Sequence, residues 1–376
     1  MGSSLTKSSY LDGLRCDKFL WISKFAQSKI APPSEFDQNL MDDGTAVGAL
    51  VTQLYPNGIE IPPTLINRDE RIALTSELIN NGTEVIYEAT FFADNIEIRV
   101  DALLKANDGY EIRELKAVTF KNNILNDTKF QKHINDVSIQ YYVLNKLGYN
   151  ITNSYVMTIN GEYVRDNNLN AKELFKEVLV TNEVLDLQDS IPEKVKDLNE
   201  ILSDKQNEPN TDIDKHCHKD SQKCGAKEYC WRDQRNIPDY SIFEIFNLGD
   251  KSLNLYRDNI VDIRDIPENV RRTPIQEFYI DHWMNKSTYI NDAEISKFIS
   301  ELNFPLFHLD FESYNPAIPK YKNSRPYQQI PFQYSIHVEH NENKCEHREF
   351  LGNPKLDPRE ELICQLLSDI KGQSSV

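Results

Sequence analysis

The chain has 376 residues, 39% hydrophobic and 27% charged, enough for two or three domains and for a core that needs no disulfide staples. Its 59 acidic and 42 basic residues give a formal charge of −17, which excludes broad electrostatic capture of nucleic acid but not a local basic groove or a metal-bridged phosphate site. No apolar run approaches the roughly 20 residues of a membrane helix, and MGSSLTKSSYLDG lacks a secretory apolar stretch, so the cytoplasm is the expected compartment.

In chain order, residues 8–25 predict a helix capped by Ser8 or Ser9, with Leu11, Leu14, Phe19 and Trp21 as its apolar face and Pro32-Pro33 beyond its end. Residues 44–55 predict a second short helix. The period then changes to alternation, and 84–92, 96–104 and 110–118 predict three successive strands. Asp94-Asn95 and Asn107-Asp108-Gly109 are the turns between them, the latter a strong hairpin signal. A helix over roughly 127–147 and a strand over 151–159 follow. Residues 183–214, with ten acids and three lysines, predict a solvated helical spacer. The segment 236–300 reads as a polar helical connector. Residues 304–313, 329–339 and 347–352 predict strands, and 358–370 a helix.

The first candidate site lies on the strand meander. Glu114 and Lys116 are two apart, so both leave one face of the pleat, and antiparallel pairing across the hairpin brings Asp101 beside them. Glu88, on the first strand, is a further acid. Carboxylate oxygens plus water suit Mg²⁺ or Mn²⁺. Lys116 would hold or deprotonate a water and stabilise negative charge at a phosphodiester. Lys121, Lys129 and Lys132, just beyond, are candidates for tracking a phosphate backbone. The plain alternative for Glu-x-Lys is an exposed pair on a half-buried strand.

The run from VIYEATF through RVDALLKANDGYEIRELKA to DVSIQYYVLNKLG resembles RecB-type PD-(D/E)XK nucleases. The resemblance implies a restriction-endonuclease-like α/β core, with Asp101 as the second-motif acid, Glu114-x-Lys116 as its E-x-K, Glu88 as an acid of the first core strand and Gln140 in a DNA-contacting helix motif. Many members carry a histidine four residues after a glycine. Here Gly44 is followed by Gly48, which implies either a site run by carboxylates or reduced activity.

Cys217, Cys224 and Cys230 crowd into fourteen residues, which in a reducing compartment points to metal. Three thiolates leave a fourth ligand to be found, and Cys16 is the candidate. The same resemblance, in particular to the CRISPR-associated exonucleases and AddB, implies that these four hold a [4Fe–4S] cluster as a staple between the two ends of the domain. Zinc is the rival, since His216 and His218 flank Cys217 and one of them with three cysteines makes a tetrahedral set.

Further on, Asp310 and Glu312 share one face of an apolar strand, the way a DEDD-type, RNase H-like exonuclease begins its two-metal site. The text around them, with SYVMTINGEYVRDNNLNAKELF earlier, is similar to an uncharacterised bacterial family joining a RecB-type nuclease to such a domain. Asp357 and Asp369 sit at opposite ends of the final helix and make poor partners, so the second domain is expected to be incomplete and catalytically silent. His308 and His337 read as packed, satisfied residues.

The expected architecture is therefore a nuclease domain with its cysteine staple (1–235), a helical connector (236–300) and a partial RNase H-like domain (301–376). The expected function is Mg²⁺- or Mn²⁺-dependent hydrolysis of DNA, as an exonuclease on single-stranded or end-containing substrates in repair, recombination or defence, with a helicase or other nucleic-acid-processing protein as partner. The alternative is a catalytically weak or inactive nucleic-acid-binding module on the same fold.

Overall fold

The computed structural model describes residues 4–220, 224–341 and 344–371, without the side chains of 218–220. Packing divides the chain into two units, one comprising 1–116, 121–158 and 177–288, the other 117–120, 159–176 and 289–376. The division cuts across the boundaries expected from sequence. The expected connector does not stand apart, because Ile242, Ile245, Leu248, Leu255, Ile263 and Ile280 bury a small core of their own and its residues up to 288 belong with the first unit. Among the described residues no helix is long and apolar enough to cross a membrane.

The fold is mixed α/β. Its large sheet takes β1 (Leu5–Thr6), β2 (Ile59–Glu60), β3 (Val85–Ala93), β4 (Ile96–Ala106), β5 (Gly109–Thr119), β6 (Ile151–Ile159) and β7 (Phe175–Leu179). The strands run in the order β2-β3-β4-β5-β6-β7, with β1 added to β4. Antiparallel pairing of β3 with β4 and of β4 with β5 gives the predicted meander. The two-residue turn Asn107-Asp108 closes the second hairpin. Gly109 follows at φ +152°, where a Cβ would meet the Asn150 carbonyl oxygen at 2.1 Å.

The predicted first helix is two helices. Thr6, not Ser8 or Ser9, is the N-cap of Lys7–Arg15, in a capping box with Ser9, and this places Lys7 at the first helical position. Cys16, extended at φ −163°, ends that helix and caps the next, Asp17–Phe25, its Sγ accepting from the Phe19 N–H at 3.5 Å. Residues 183–214 are not the expected solvated spacer. Their helix Ile191–Ser203 buries Ile191, Val195, Leu198 and Leu202 and packs on the two N-terminal helices. Gly13 makes that approach possible, since a Cβ there would lie 2.5 Å from Leu198 Cδ2.

In the second unit, β8 (Leu306–Tyr314), β9 (Ile330–Asn341) and β10 (Lys344–Leu351) form a three-stranded antiparallel sheet. Phe307, Tyr334, Ile336 and Val338 pack with Leu362 of the helix Arg359–Asp369 on one face. His308 and His337 stand on the other face and are exposed, contrary to the sequence reading. An antiparallel sheet with one covered face alternates apolar and polar residues, and both histidines fall on the uncovered register.

Candidate functional site

The carboxylate site forms where β4 changes neighbours. β4 pairs with β5 from Ala102 onward and with β1 at Ile96 and Glu97. Asp101, between these stretches, accepts the Leu115 N–H at 2.8 Å through its own carboxylate. Glu114, 1% exposed, and Lys116 leave β5 on the same face, with Lys116 Nζ 2.7 Å from Glu114 Oε1. The helix Gln131–Lys146 lays Asp136 and Gln140, one turn apart, over this point. Lys116 Nζ is 2.6 Å from Asp136, and the Gln140 amide donates to Glu114 at 2.9 Å and Asp136 at 3.2 Å. Lys7 Nζ completes the cluster, 2.7 Å from Glu114, 3.6 Å from Asp136 and 3.7 Å from Asp101.

Asp101, Glu114, Lys116 and Gln140 thus come together. Gln140 is fully buried, its amide donating to the Glu114 and Asp136 carboxylates and to the Asp136 backbone carbonyl, so it is turned toward those acids and not toward solvent. The β3–β4 pairing skips Glu88, between the pairs Tyr87–Ala102 and Ala89–Val100, and its φ of +56° is a strained conformation for a non-glycine residue. Lys121, Lys129 and Lys132 are exposed. Sequence reasoning missed Lys7, Asp136 and the buried His133.

The electrostatics follow from enclosing three carboxylates with two ammoniums. Burial, then the neighbouring Glu114 charge, pushes Asp101 up to about 7. Burial also raises Asp136, with Glu114 acting in the same sense. Burial alone would raise Glu114, but Lys116 and Lys7 outweigh it and hold that carboxyl well below its ordinary range. Burial would lower Lys116, yet Glu114 and Asp136 outweigh it and hold it above its ordinary value. His133 is pushed down to about 3 by burial and by Lys116, and is neutral at pH 7.

The four cysteines also converge. Cys16, Cys217, Cys224 and Cys230 line one cavity of about 20 Å³ together with Arg15, Phe19, His216, Lys227 and Trp231. None is in a disulfide. Burial, reinforced by the other thiols, pushes Cys217 up to about 11, and Cys230 is pushed equally high by burial against the opposing pull of Lys18. Metal binding would replace those protons. His216 Nε2 is buried without a hydrogen-bond partner among the described residues, and the His218 side chain lies outside them. Among the described residues no three His, Cys, Asp or Glu side chains stand at ready-made metal-ligand spacing, so both centres are gatherings of donors and not formed coordination shells.

Asp310 and Glu312 lie exposed on the open face of the three-stranded sheet. The two further acids weighed for that site are engaged with other residues: Asp369 accepts from the Tyr334 hydroxyl at 2.6 Å and Asp357 is paired with Arg359 at 2.6 Å.

A family described as a domain of unknown function, DUF2779, matches residues 307–376. No curated protein matches the chain. Among solved structures, one titled "Crystal structure of SSO0001" is similar at 12% identity over 61% of this chain and 87% of that one, with a TM-score of 0.27, too low to carry an argument.

Proposed function

We propose that the chain is a metal-dependent nuclease that hydrolyses DNA phosphodiester bonds in the manner of RecB-type PD-(D/E)XK enzymes, acting on single-stranded or end-containing DNA. The observation that carries this reading is the meeting of Asp101, Glu114 and Lys116, on adjacent strands, with Asp136 of the helix laid over them. All-oxygen donors of this kind fit Mg²⁺ or Mn²⁺, which Asp101, Glu114 and Asp136 would hold. A divalent cation held there supplies Lewis-acid polarisation of the phosphodiester. The chain's own residues do the rest. The Leu115 N–H fixes Asp101, Gln140 aligns Glu114 with Asp136, and the Lys116 ammonium stabilises negative charge at a phosphate oxygen.

For the cysteine centre the reading is a structural [4Fe–4S] cluster, supported by the four thiols sharing one cavity although Cys16 lies 201 residues before Cys217. Zinc is the second reading. It is favoured by the buried, unpartnered His216 Nε2 and by the cavity volume, which is about that of one water or ion.

The inactive nucleic-acid-binding module is favoured by one observation, the Lys7 ammonium resting on the three carboxylates. The wild-type chain separates the two functions. Degradation of single-stranded DNA with Mn²⁺, stopped by EDTA, is expected. Binding of that DNA with no loss of length in Mg²⁺ or Mn²⁺ overturns the nuclease reading in favour of the module.

A further inference from the structure

Two ammoniums serve the three carboxylates, and they serve them differently. Among the described residues the ion pairs of Lys116 Nζ are with Glu114 and Asp136, whereas Lys7 Nζ lies within 3.7 Å of Asp101, Glu114 and Asp136 together. One compact positive charge in reach of three carboxylates is the environment a hard cation requires. A second observation points the same way. Gln140, fully buried, donates its amide N–H to Glu114 and Asp136, yet its Oε1 has no partner among the described residues, so a residue of this cluster keeps a buried polar oxygen that the present arrangement leaves unsatisfied.

We propose that Lys7 is a resident cation at the metal position, and that a divalent cation binds by exchanging with its ammonium; the inference rests on the carboxylate site proposed above. Formal charge favours exchange over addition. Three carboxylates facing Lys7 and Lys116 carry one net negative charge, which a divalent cation added beside both lysines would reverse and a divalent cation replacing Lys7 would neutralise.

The surroundings allow the exchange with little backbone movement. β1 pairs with β4 and Thr6 caps the helix that Lys7 begins, so the backbone at Lys7 is anchored on both sides. The ammonium rides on a flexible four-carbon stem and a fifth of the side chain is exposed, while Glu114 and Asp136 are 1% and 4% exposed and stay in place. The metal-free state is thereby closed by the protein's own cation, and metal concentration decides when the site opens.

The test is the affinity of the full chain for Mn²⁺, read from the free-Mn²⁺ electron paramagnetic resonance signal. Lys7→Met removes the competing charge and keeps most of the stem, and Lys7→Gln does so while keeping a donor toward Glu114. Each is expected to bind Mn²⁺ roughly tenfold or more tightly than the wild type, with Lys7→Arg no tighter than the wild type. Equal or weaker binding by whichever neutral variant keeps the wild-type circular dichroism spectrum overturns the exchange. Cleavage is scored separately. Tighter Mn²⁺ binding with no cleavage by any variant sustains the exchange and defeats the nuclease reading. Cleavage with an affinity indifferent to Lys7 does the opposite, and absence of Mn²⁺ binding throughout defeats both.

Discussion

Replacing Glu114 with Gln keeps the side chain's shape and removes one charge at its most enclosed point. Glu114 is 1% exposed and accepts from Lys7, Lys116 and Gln140 at 2.7, 2.7 and 2.9 Å. Removing one partner from a buried ion pair costs about 3–5 kcal/mol, because the other charge stays enclosed. Two effects reduce that here. Lys7 and Lys116 retain Asp101 and Asp136, and the loss of Glu114 relieves its repulsion of both acids. The expected net loss is about 2–3 kcal/mol, a fall of roughly 1 M in urea midpoint for a slope near 2–3 kcal/mol per molar.

Tryptophan fluorescence is the suitable assay. Trp21, Trp231 and Trp283 all belong to the first unit, so the signal reports on the unit that carries the carboxylate site. A change under about 0.5 kcal/mol, the usual worth of a solvated strand pair, would refute the claim that these charges form an enclosed, mutually dependent cluster. The double variant Glu114→Gln, Lys7→Met should lose less than the two single losses combined, since it no longer encloses an under-compensated ammonium.

Asp101 sets the pH dependence. With its carboxyl raised to about 7, the folded chain keeps a proton that the unfolded chain has released, so this group's contribution to stability is lost as pH rises through 7. Glu114, shifted the other way, is ionised throughout that window and adds no slope. The melting temperature without metal should therefore fall between about pH 4 and 7 relative to Asp101→Asn and level off above that, and Mn²⁺ affinity should weaken below pH 7 by up to about tenfold per unit. A flat profile in both contradicts the shift. Glu88→Gly should stabilise the fold by about 1 kcal/mol by relieving the positive φ, while Glu88→Ala should not; equal midpoints in urea would remove the strain argument. Anaerobically purified chain should be brown, and Cys16→Ser and Cys224→Ser should each bleach it. A colourless chain with stoichiometric zinc, lost on His216→Ala, replaces the cluster with zinc.

Much of the first site was legible because its information is local. The two-residue spacing of Glu114 and Lys116 fixes a shared face, and Asn107-Asp108-Gly109 fixes the hairpin that brings Asp101 alongside. Lys7 carried no such signal. It lies 107 residues from Glu114 and reaches it only because β1 adds to the free stretch of β4. Asp136 was in view one helical turn before Gln140, but nothing in helical periodicity separates an inward acid from a solvated one. Cys16 was legible as a ligand candidate and not as a helix break, because the apolar spacing of Leu14 and Phe19 continues across it. In 183–214 the apolar stripe with Ile191, Val195, Leu198 and Leu202 is legible, but the density of acids favours a solvated spacer, whereas the helix buries that stripe. Exposure of His308 and His337 depends on which sheet face is covered, a tertiary fact that an apolar run does not carry.

Single-turnover cleavage of end-labelled single-stranded DNA by the full chain with Mn²⁺, compared among wild type, Asp101→Asn, Glu114→Gln, Lys116→Ala and Asp136→Asn, tests the central claim most directly. The account predicts cleavage by the wild type and a loss of roughly a hundredfold or more in each variant, since every one removes a member of one charge cluster. Wild-type-like cleavage by Glu114→Gln and Asp136→Asn would contradict it and place the chemistry elsewhere in the chain.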